Sequence, residues 1–565
     1  MTTRGNLRGP STVEAFDDRS STTPRLSNLH PMQLPDLLSA RPSHALDRER
    51  VEELLERAFL GRDAAEELDR ELAASAATDA AAGWELDLFA EDLFVRDLIA
   101  DHFAITIDRL RFPPQSDFLF AVLSRPPVDP DDIAFRQSIL RELEADPALE
   151  RRLERLYREI FRFVDLLKQE DRSSKLDPET FRLDVLHQAK TVVETMADGF
   201  ATSTSGLVRL HEAALEMRDG RAYRRLAALL DFEERQTTAT LRVDLGVDGE
   251  IRRLAILDLE PNRASPFRVA WWKRAALSVV SFGSGHRLDR KVLVRRLLGK
   301  VFRDVLPDLV PLVQILGHLE VYLAARAFRR RMAEHGLDTS LAEIGDDLPV
   351  SLDALFNPLL VGDEAPRPCD LAQTSARRTT LVTGPNSGGK TRLLQSAGLA
   401  QLLGQSGLYV PARRAQLPLV RGLFVSLVET ETAQAAEGRL GRELLRIRRL
   451  FSRLGSPSMV VLDELCSGTN PSEGAEIFRL VLELLERLGS VAFISTHFLE
   501  LAQSLERERP LESLEFLRVE IDEGLRSTYQ FVSGVARTSL AAETARRLGV
   551  TFEQLSALID RRRAP

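Results

Sequence analysis

Apolar positions recur every three or four residues over most of the chain up to residue 345. In RERVEELLERAFLGRDAAEELDRELAASAA, residues 48–77, Val51, Leu54, Leu55 and Ala58 fall at helical spacing between charges and predict an amphipathic helix. The same period runs through DIAFRQSILRELEADPALERRLERLYREIFRFVDLLK, residues 132–168. Asp146-Pro147 predicts a division of that run, since proline is tolerated at a helix start. One island breaks the rhythm. Residues 238–261 alternate through Leu241, Val243 and Leu245, pass Asp248-Gly249 and enter a second β-rich run, which predicts a β-hairpin. Residues 1–45 lack a periodic apolar set and carry prolines at 10, 24, 31, 35 and 42, the pattern of a disordered tail.

From about residue 346 the period changes. Short apolar runs end in polar residues and lead into helical patterns: TTLVTG (379–384), MVVLDE (459–464) and VAFISTH (491–497). Strands alternating with helices predict a mostly parallel sheet. The fold class is therefore multidomain, a mainly α-helical region over 46–345 followed by an α/β phosphate-loop domain over 346–565.

Composition narrows the picture only slightly. A chain of 565 residues exceeds what one hydrophobic core organises, and 44% hydrophobic with 28% charged residues is a globular balance. The net charge of −9 argues against a surface that is basic all over and leaves room for a local basic groove. Cys369 and Cys466 stand far apart with no further Cys or His at ligand spacing, so two buried thiols are expected rather than a disulfide or a zinc site. No secretory leader and no run of ~18 apolar residues is read, so no membrane span is expected and the cytoplasm is the default compartment.

The candidate chemistry lies in the last third. Gly384, Pro385, Asn386, Ser387, Gly388, Gly389, Lys390 and Thr391 fit GxxxxGK[ST] at every fixed position. Glycines let successive backbone N–H groups turn inward on phosphate oxygens, and a helix starting near Lys390 aims its positive end at the same anion. Lys390 is placed to reach the β- and γ-phosphates of ATP, and the Thr391 hydroxyl to ligate Mg²⁺. An apolar strand before the motif and TRLLQSAGLAQLL after it supply the required context. Asp463, at the tip of SMVVLDE, suits coordination of the metal; Glu464 suits a general base that orients water. His497, at the tip of VAFISTH, suits a sensor of the γ-phosphate.

These segments resemble one family, the MutS mismatch-repair ATPases, which are ABC-type ATPases. TGPNSGGKT resembles its phosphate loop, GLYVPA (407–412) the segment after the first helix, and VLDELCSGTNPSEG (461–474) its metal strand and following turn. STHFLELA (495–502) resembles its Thr-His-x-x-Glu-Leu segment, and YQFVSGVARTSLAAETARRLGV (529–550) its closing dimer-interface segment. Upstream, the run around Arg136, Gln137, Ile139, Leu140 and Leu143 resembles the start of the family's helical core, so 46–345 would be core and levers, and the hairpin would sit where the family inserts its DNA clamp. The resemblance implies a homodimer in which each phosphate site is completed by the partner subunit.

Three departures stand out. The mismatch-reading module is not found; Phe89-Ala90-Glu91 spells the family's Phe-x-Glu wedge but lies in acidic, helical ELDLFAEDLFVRDL and reads as coincidence. The signature loop aligns with EGRLGRELL (437–445), which lacks a Ser or Thr, leaving Gly438 or a nearby amide to contact the partner's nucleotide. Asn357-Pro358-Leu359-Leu360 stands where the family often has His-Pro. After residue 550 no nuclease-like or ribosome-associated segment is read.

Between 285 and 331, Arg or Lys at 287, 290, 291, 295, 296, 300, 303, 326, 329, 330 and 331 outnumber acids at 289, 304, 308 and 320, a candidate phosphate-binding face preceded by Trp271-Trp272-Lys273-Arg274. A solvated helix face is the plainer reading of the same residues. The sequence thus points to a MutS-like, ATP-dependent DNA-binding homodimer of DNA repair or recombination. An RNA- or ribosome-acting ATPase and an ATP-controlled protein-interaction switch stand as alternatives.

Overall fold

A computed structural model describes the chain except for residues 1–34, 43–45, 77–82, 113–115, 169–177, 236, 246–250, 262–289, 363–364, 386, 428–438, 467–469, 525, 538–545, 547–548 and 564–565. The helical period is realised as α1 (Arg48–Phe59), α2 (Ala65–Ser75), α3 (Val95–His102), α4 (Ser116–Leu123), α5 (Pro130–Ala145) and α6 (Pro147–Lys168). The series continues with α7 (Pro178–Gly199), α8 (Val208–Asp219), α9 (Arg221–Arg235) and α10 (Arg290–Glu334), while β1 (Ile105–Ile107) and β2 (Leu110–Phe112) form a small hairpin after α3. The division at Asp146 has a local cause. Its carboxylate accepts from the Ala148 amide at 2.8 Å, and Pro147 opens the next helix without losing an intrahelical bond. The apolar stripe of α6, from Leu149 through Leu153, Leu156, Ile160 and Phe163 to Leu167, is buried, with α7 and α10 among its packing neighbours.

The axis of this region is α10, 45 residues and so roughly 68 Å long at 1.5 Å per residue. Its Leu298–Glu334 portion is long and apolar enough to cross a membrane by composition, contrary to the expectation of no such run. The charged Glu320 conceals the run in the sequence. In the fold that carboxylate is fully buried and accepts a 2.9 Å hydrogen bond from the Tyr157 hydroxyl, and the apolar window is buried among the other helices.

Two expected boundaries move. Residues 35–42, assigned to the tail, form a strap that is buried over 35–39, with Leu37 and Leu38 fully enclosed. The strap's backbone is bonded from Asp36 to Ala40. Arg136 Nε donates to Leu38 O at 2.7 Å, Arg209 Nη1 to Ser39 O at 2.8 Å, and Asp132 accepts from Ala40 N at 2.7 Å. Prolines ended the helical period there without ending the packed structure. Residues 1–34, the rest of that expectation, lie outside the described residues. Residue 345 is likewise no spatial boundary. The segment Gly83–Asp92 lies against the later sheet, with Leu423 N donating to Gly83 O at 3.1 Å and Leu427 N to Asp92 Oδ1 at 2.8 Å. Phe89 is buried edge-to-face against Trp84, ring centroids 5.7 Å apart, so the Phe-x-Glu string is core and not an exposed wedge.

The hairpin of the helical region consists of β3 (Thr237–Leu245) and β4 (Ile251–Pro261), antiparallel with register shifts after Thr240 and after Asp244; its Asp248-Gly249 turn lies outside the described residues. In the second region come β5 (Ser340–Leu341), β6 (Glu343–Gly345), β7 (Ser351–Leu355), β8 (Cys369–Ala372), β9 (Thr379–Thr383) and α11 (Lys390–Gln405). After these follow β10 (Tyr409–Val410), β11 (Arg414–Pro418), β12 (Leu423–Ser426), α12 (Arg439–Arg453) and β13 (Met459–Leu462). The chain then runs through α13 (Pro471–Leu488), β14 (Val491–Ser495), α14 (Leu499–Glu508), β15 (Leu514–Ile521), β16 (Ser527–Ser533) and α15 (Phe552–Arg563). The main sheet has the order β12-β13-β14-β9-β15-β16, parallel throughout except for β16. Every residue of β9, β13 and β14 is buried, as in a parallel sheet covered on both faces, which is why these strands read as unbroken apolar runs. A smaller sheet, β6-β11-β7-β8, and the pair β5-β10 flank it, so residues 340–345 pair with the later region.

Candidate functional site

In a parallel sheet all carboxyl ends share one edge, and ligands bind outside it. Here β14 lies between β9 and β13, which brings the segments following all three strands to that edge. From β9 the chain turns through Gly384, at φ +145°, where a Cβ would stand 2.6 Å from Val519 Cγ2 of β15. Only glycine permits that approach. Gly389, at φ +87°, then caps the start of α11. Pro385 and Gly388 complete the turn through a 2.9 Å backbone bond; Ser387 is exposed and Asn386 lies outside the described residues.

Lys390 is the first residue of α11 and is buried, with Nζ donating to Gly384 O at 3.0 Å and Pro385 O at 3.2 Å. Burial lowers its pKa from the ordinary value, while Glu464 and Asp463 favour the charged form. A buried ammonium lying on its own loop's carbonyls, with no ion pair holding it among the described residues, is suited to an incoming anion.

Asp463 follows β13. Thr391 Oγ1 donates to its Oδ2 at 2.5 Å and Ser495 Oγ donates to its Oδ1. The loop hydroxyl and the strand carboxylate, 72 residues apart in sequence, are thus in contact. A carboxylate and a hydroxyl so placed are an oxygen donor pair of the kind Mg²⁺ takes, beside glycines that leave a cradle for phosphate. Glu464, the next residue, adopts a left-handed backbone, φ +49°. His497 is exposed past the end of β14, its ring centroid 4.3 Å from that of Phe498.

Residues 380–556 match the family model described as MutS domain V. The phosphate-loop region of the chain is therefore of MutS type. It is similar to Endonuclease MutS2 of Pelotomaculum thermopropionicum, 31% identical over 266 residues, which covers 46% of this chain and 32% of that protein. It is also similar to Endonuclease MutS2 of Thermus thermophilus, 31% identical over 271 residues, covering 48% of this chain and 35% of that protein. The chain thus spans about a third of the length of the curated MutS-family relatives it matches.

The fold adds residues to the MutS-type site that its local motifs did not announce. A cavity of about 450 Å³ adjoins Gly389, lined among others by Phe356, Leu360, Arg367, Arg392 and Tyr529. The Arg367 guanidinium stands 5.7 Å from the Tyr529 ring centre. Four separate segments contribute, so no local pattern signals it. Asn357, at the departure from His-Pro, is buried: Nδ2 donates to Gln395 Oε1 of α11 at 2.8 Å, and Oδ1 accepts from Leu359 N at 3.0 Å. It ties the wall of the cavity to the phosphate-loop helix.

The expected basic face is corrected at five of its six described side chains, Arg331 being the exception. Arg326 pairs with Glu150 at 2.9 Å, Arg329 with Glu144, and Arg330 with Glu150 and Glu154; Lys300 and Arg303 pair with Asp304 and Glu56. Helix packing brings acids of α5 and α6 opposite the arginines of α10, and linear counting could not see them. The Trp271-Trp272-Lys273-Arg274 run, Arg287 and the side chains at 290–296 lie outside the described residues, as do Glu437 and Gly438 of the signature loop. The two thiols are buried and free, and burial pushes both Cys369 and Cys466 up to about 12.

Proposed function

We propose that the chain is a Mg²⁺-dependent ATPase of MutS type, whose ATP binding and hydrolysis drive closure of a homodimer on mismatched or branched DNA in repair or recombination. The contact between Thr391 and Asp463 carries this reading, because it joins the phosphate loop to the strand-tip carboxylate in one site. Amides of the Gly384–Gly389 turn would bind the phosphates, and Lys390 would leave its loop carbonyls for the β- and γ-phosphate oxygens. Thr391 and Asp463 would hold Mg²⁺, which when bound neutralises charge developing on the transferred phosphoryl group. Glu464 would accept the proton of the attacking water, and His497 would face the γ-phosphate. The cavity beside Tyr529 offers the nucleoside an apolar and aromatic wall.

A second reading has an observation in its favour. Ion pairing of Arg326, Arg329 and Arg330 leaves less free positive charge for a nucleic acid, which suits an ATP-controlled protein-interaction switch. Measuring ATP turnover together with binding to duplex DNA, branched DNA and structured RNA, with ATP and across salt, separates the readings. Turnover with a steep salt slope and preference for branched DNA supports the first; turnover with no nucleic-acid binding supports the switch. Preference for RNA moves the substrate to RNA.

A further inference from the structure

Register places Ser495 beside the metal strand's tip. β13 and β14 pair Leu462 with Ile494, so Asp463, just past the end of β13, stands beside Ser495, the last residue of β14. Ser495 is fully buried, and its hydroxyl has two partners. It donates to Asp463 Oδ1 and accepts the Glu464 amide at 3.0 Å. A hydroxyl is one of few side-chain groups able to donate and accept at once from one atom. Asp463 Oδ2 is meanwhile held by Thr391. The left-handed backbone of Glu464, unfavourable for a residue with a Cβ, is therefore bonded at its own amide to the atom that orients the neighbouring carboxylate.

We propose that Ser495 is a positioning residue, whose hydroxyl sets the metal-facing oxygen of Asp463 and the backbone of Glu464 as one unit. This inference rests on the ATP reading of the site. Outer partners of metal ligands fix ligand orientation, and their loss typically costs roughly 10- to 100-fold in metal affinity or activity. Ser495→Ala deletes both bonds with little change of volume; Ser495→Thr keeps the hydroxyl.

The test uses the full chain and three readouts: kcat and KM for ATP, binding of a non-hydrolysable ATP analogue without added metal, and Mn²⁺ affinity by electron paramagnetic resonance in its presence. Ser495→Ala is expected to lower kcat and Mn²⁺ affinity each about tenfold or more and, by linkage, to raise KM for the metal–ATP complex, with metal-free analogue binding within about twofold, and Ser495→Thr to restore all three. Unchanged kcat and Mn²⁺ affinity in Ser495→Ala would overturn the proposal. So would an equal loss of metal-free analogue binding, or a loss that Ser495→Thr does not repair, since either marks a structural role. If the wild-type chain binds analogue and Mn²⁺ but turns nothing over, the hydrolysis reading fails while the Mn²⁺ comparison still decides the role of Ser495. A wild-type chain that binds neither sinks both.

Discussion

Single side chains in the loop and at the strand tips carry the proposed chemistry. Lys390 is buried on two carbonyls of its own turn, so removing it leaves the loop's amides without their cation. Lys390→Ala is expected to weaken ATP binding on the order of 100-fold, a charge-assisted contact of about 3 kcal/mol, as read by titration with a fluorescent nucleotide. Glu464→Gln keeps the side chain's shape and removes its basicity. Nucleotide affinity should stay within about threefold while turnover falls by roughly 10²–10⁴, and an unaffected single-turnover rate would remove Glu464 from the general-base role. The residue types at these positions were legible from their spacing, because a phosphate loop needs glycines and a lysine at fixed offsets. Ser495 was not, since a serine at a strand end has no local mark, and only strand register set it against Asp463.

Among the elements, α5 connects the two regions. Arg136 lies buried with Nε on Leu38 O of the strap and Nη1 on Ser406 O, past the end of α11, at 2.7 and 3.1 Å. One residue on, Gln137 Nε2 donates to Ala342 O at 2.8 Å. Arg136→Ala would strand two buried carbonyls and open a cavity, and is expected to cost about 3–5 kcal/mol in denaturant unfolding. Arg136→Lys should recover little of it, since an ammonium on an unbranched stem cannot reproduce the guanidinium's two directed bonds. Helix periodicity revealed α5 and its division from α6 because both signals are local. The strap escaped notice because extended residues held by distant side chains show no period of their own.

At the scale of the whole molecule, buried titratable groups make stability depend on pH in opposing directions. Burial, and then the nearby Arg331, push His102 from 6.5 to about 4. Its imidazole is therefore neutral when folded, whereas the unfolded chain takes up a proton near pH 6.5. Stability from this group is complete above that pH and is lost as pH falls toward 4. Burial raises Asp308 from 3.8 to about 6, so its contribution is complete below the unfolded value and is lost as pH rises through the folded one. The two substitutions should accordingly act at opposite ends of the pH range: His102→Gln should raise the unfolding midpoint at pH 5 relative to that at pH 7.5, and Asp308→Asn should raise it at pH 7.5 relative to that at pH 5.

By itself the sequence determined the local elements and the site's chemical inventory: helices whose period is written in neighbouring residues, strands whose unbroken apolar runs announce burial on two faces, and the loop whose glycines and lysine stand at fixed offsets. Tertiary structure alone decided which strand tips meet, which arginines find acids, that Phe89 is core, and that residues 35–39 are packed. Those outcomes depend on contacts between residues tens to hundreds of positions apart, and such contacts leave no period in the chain.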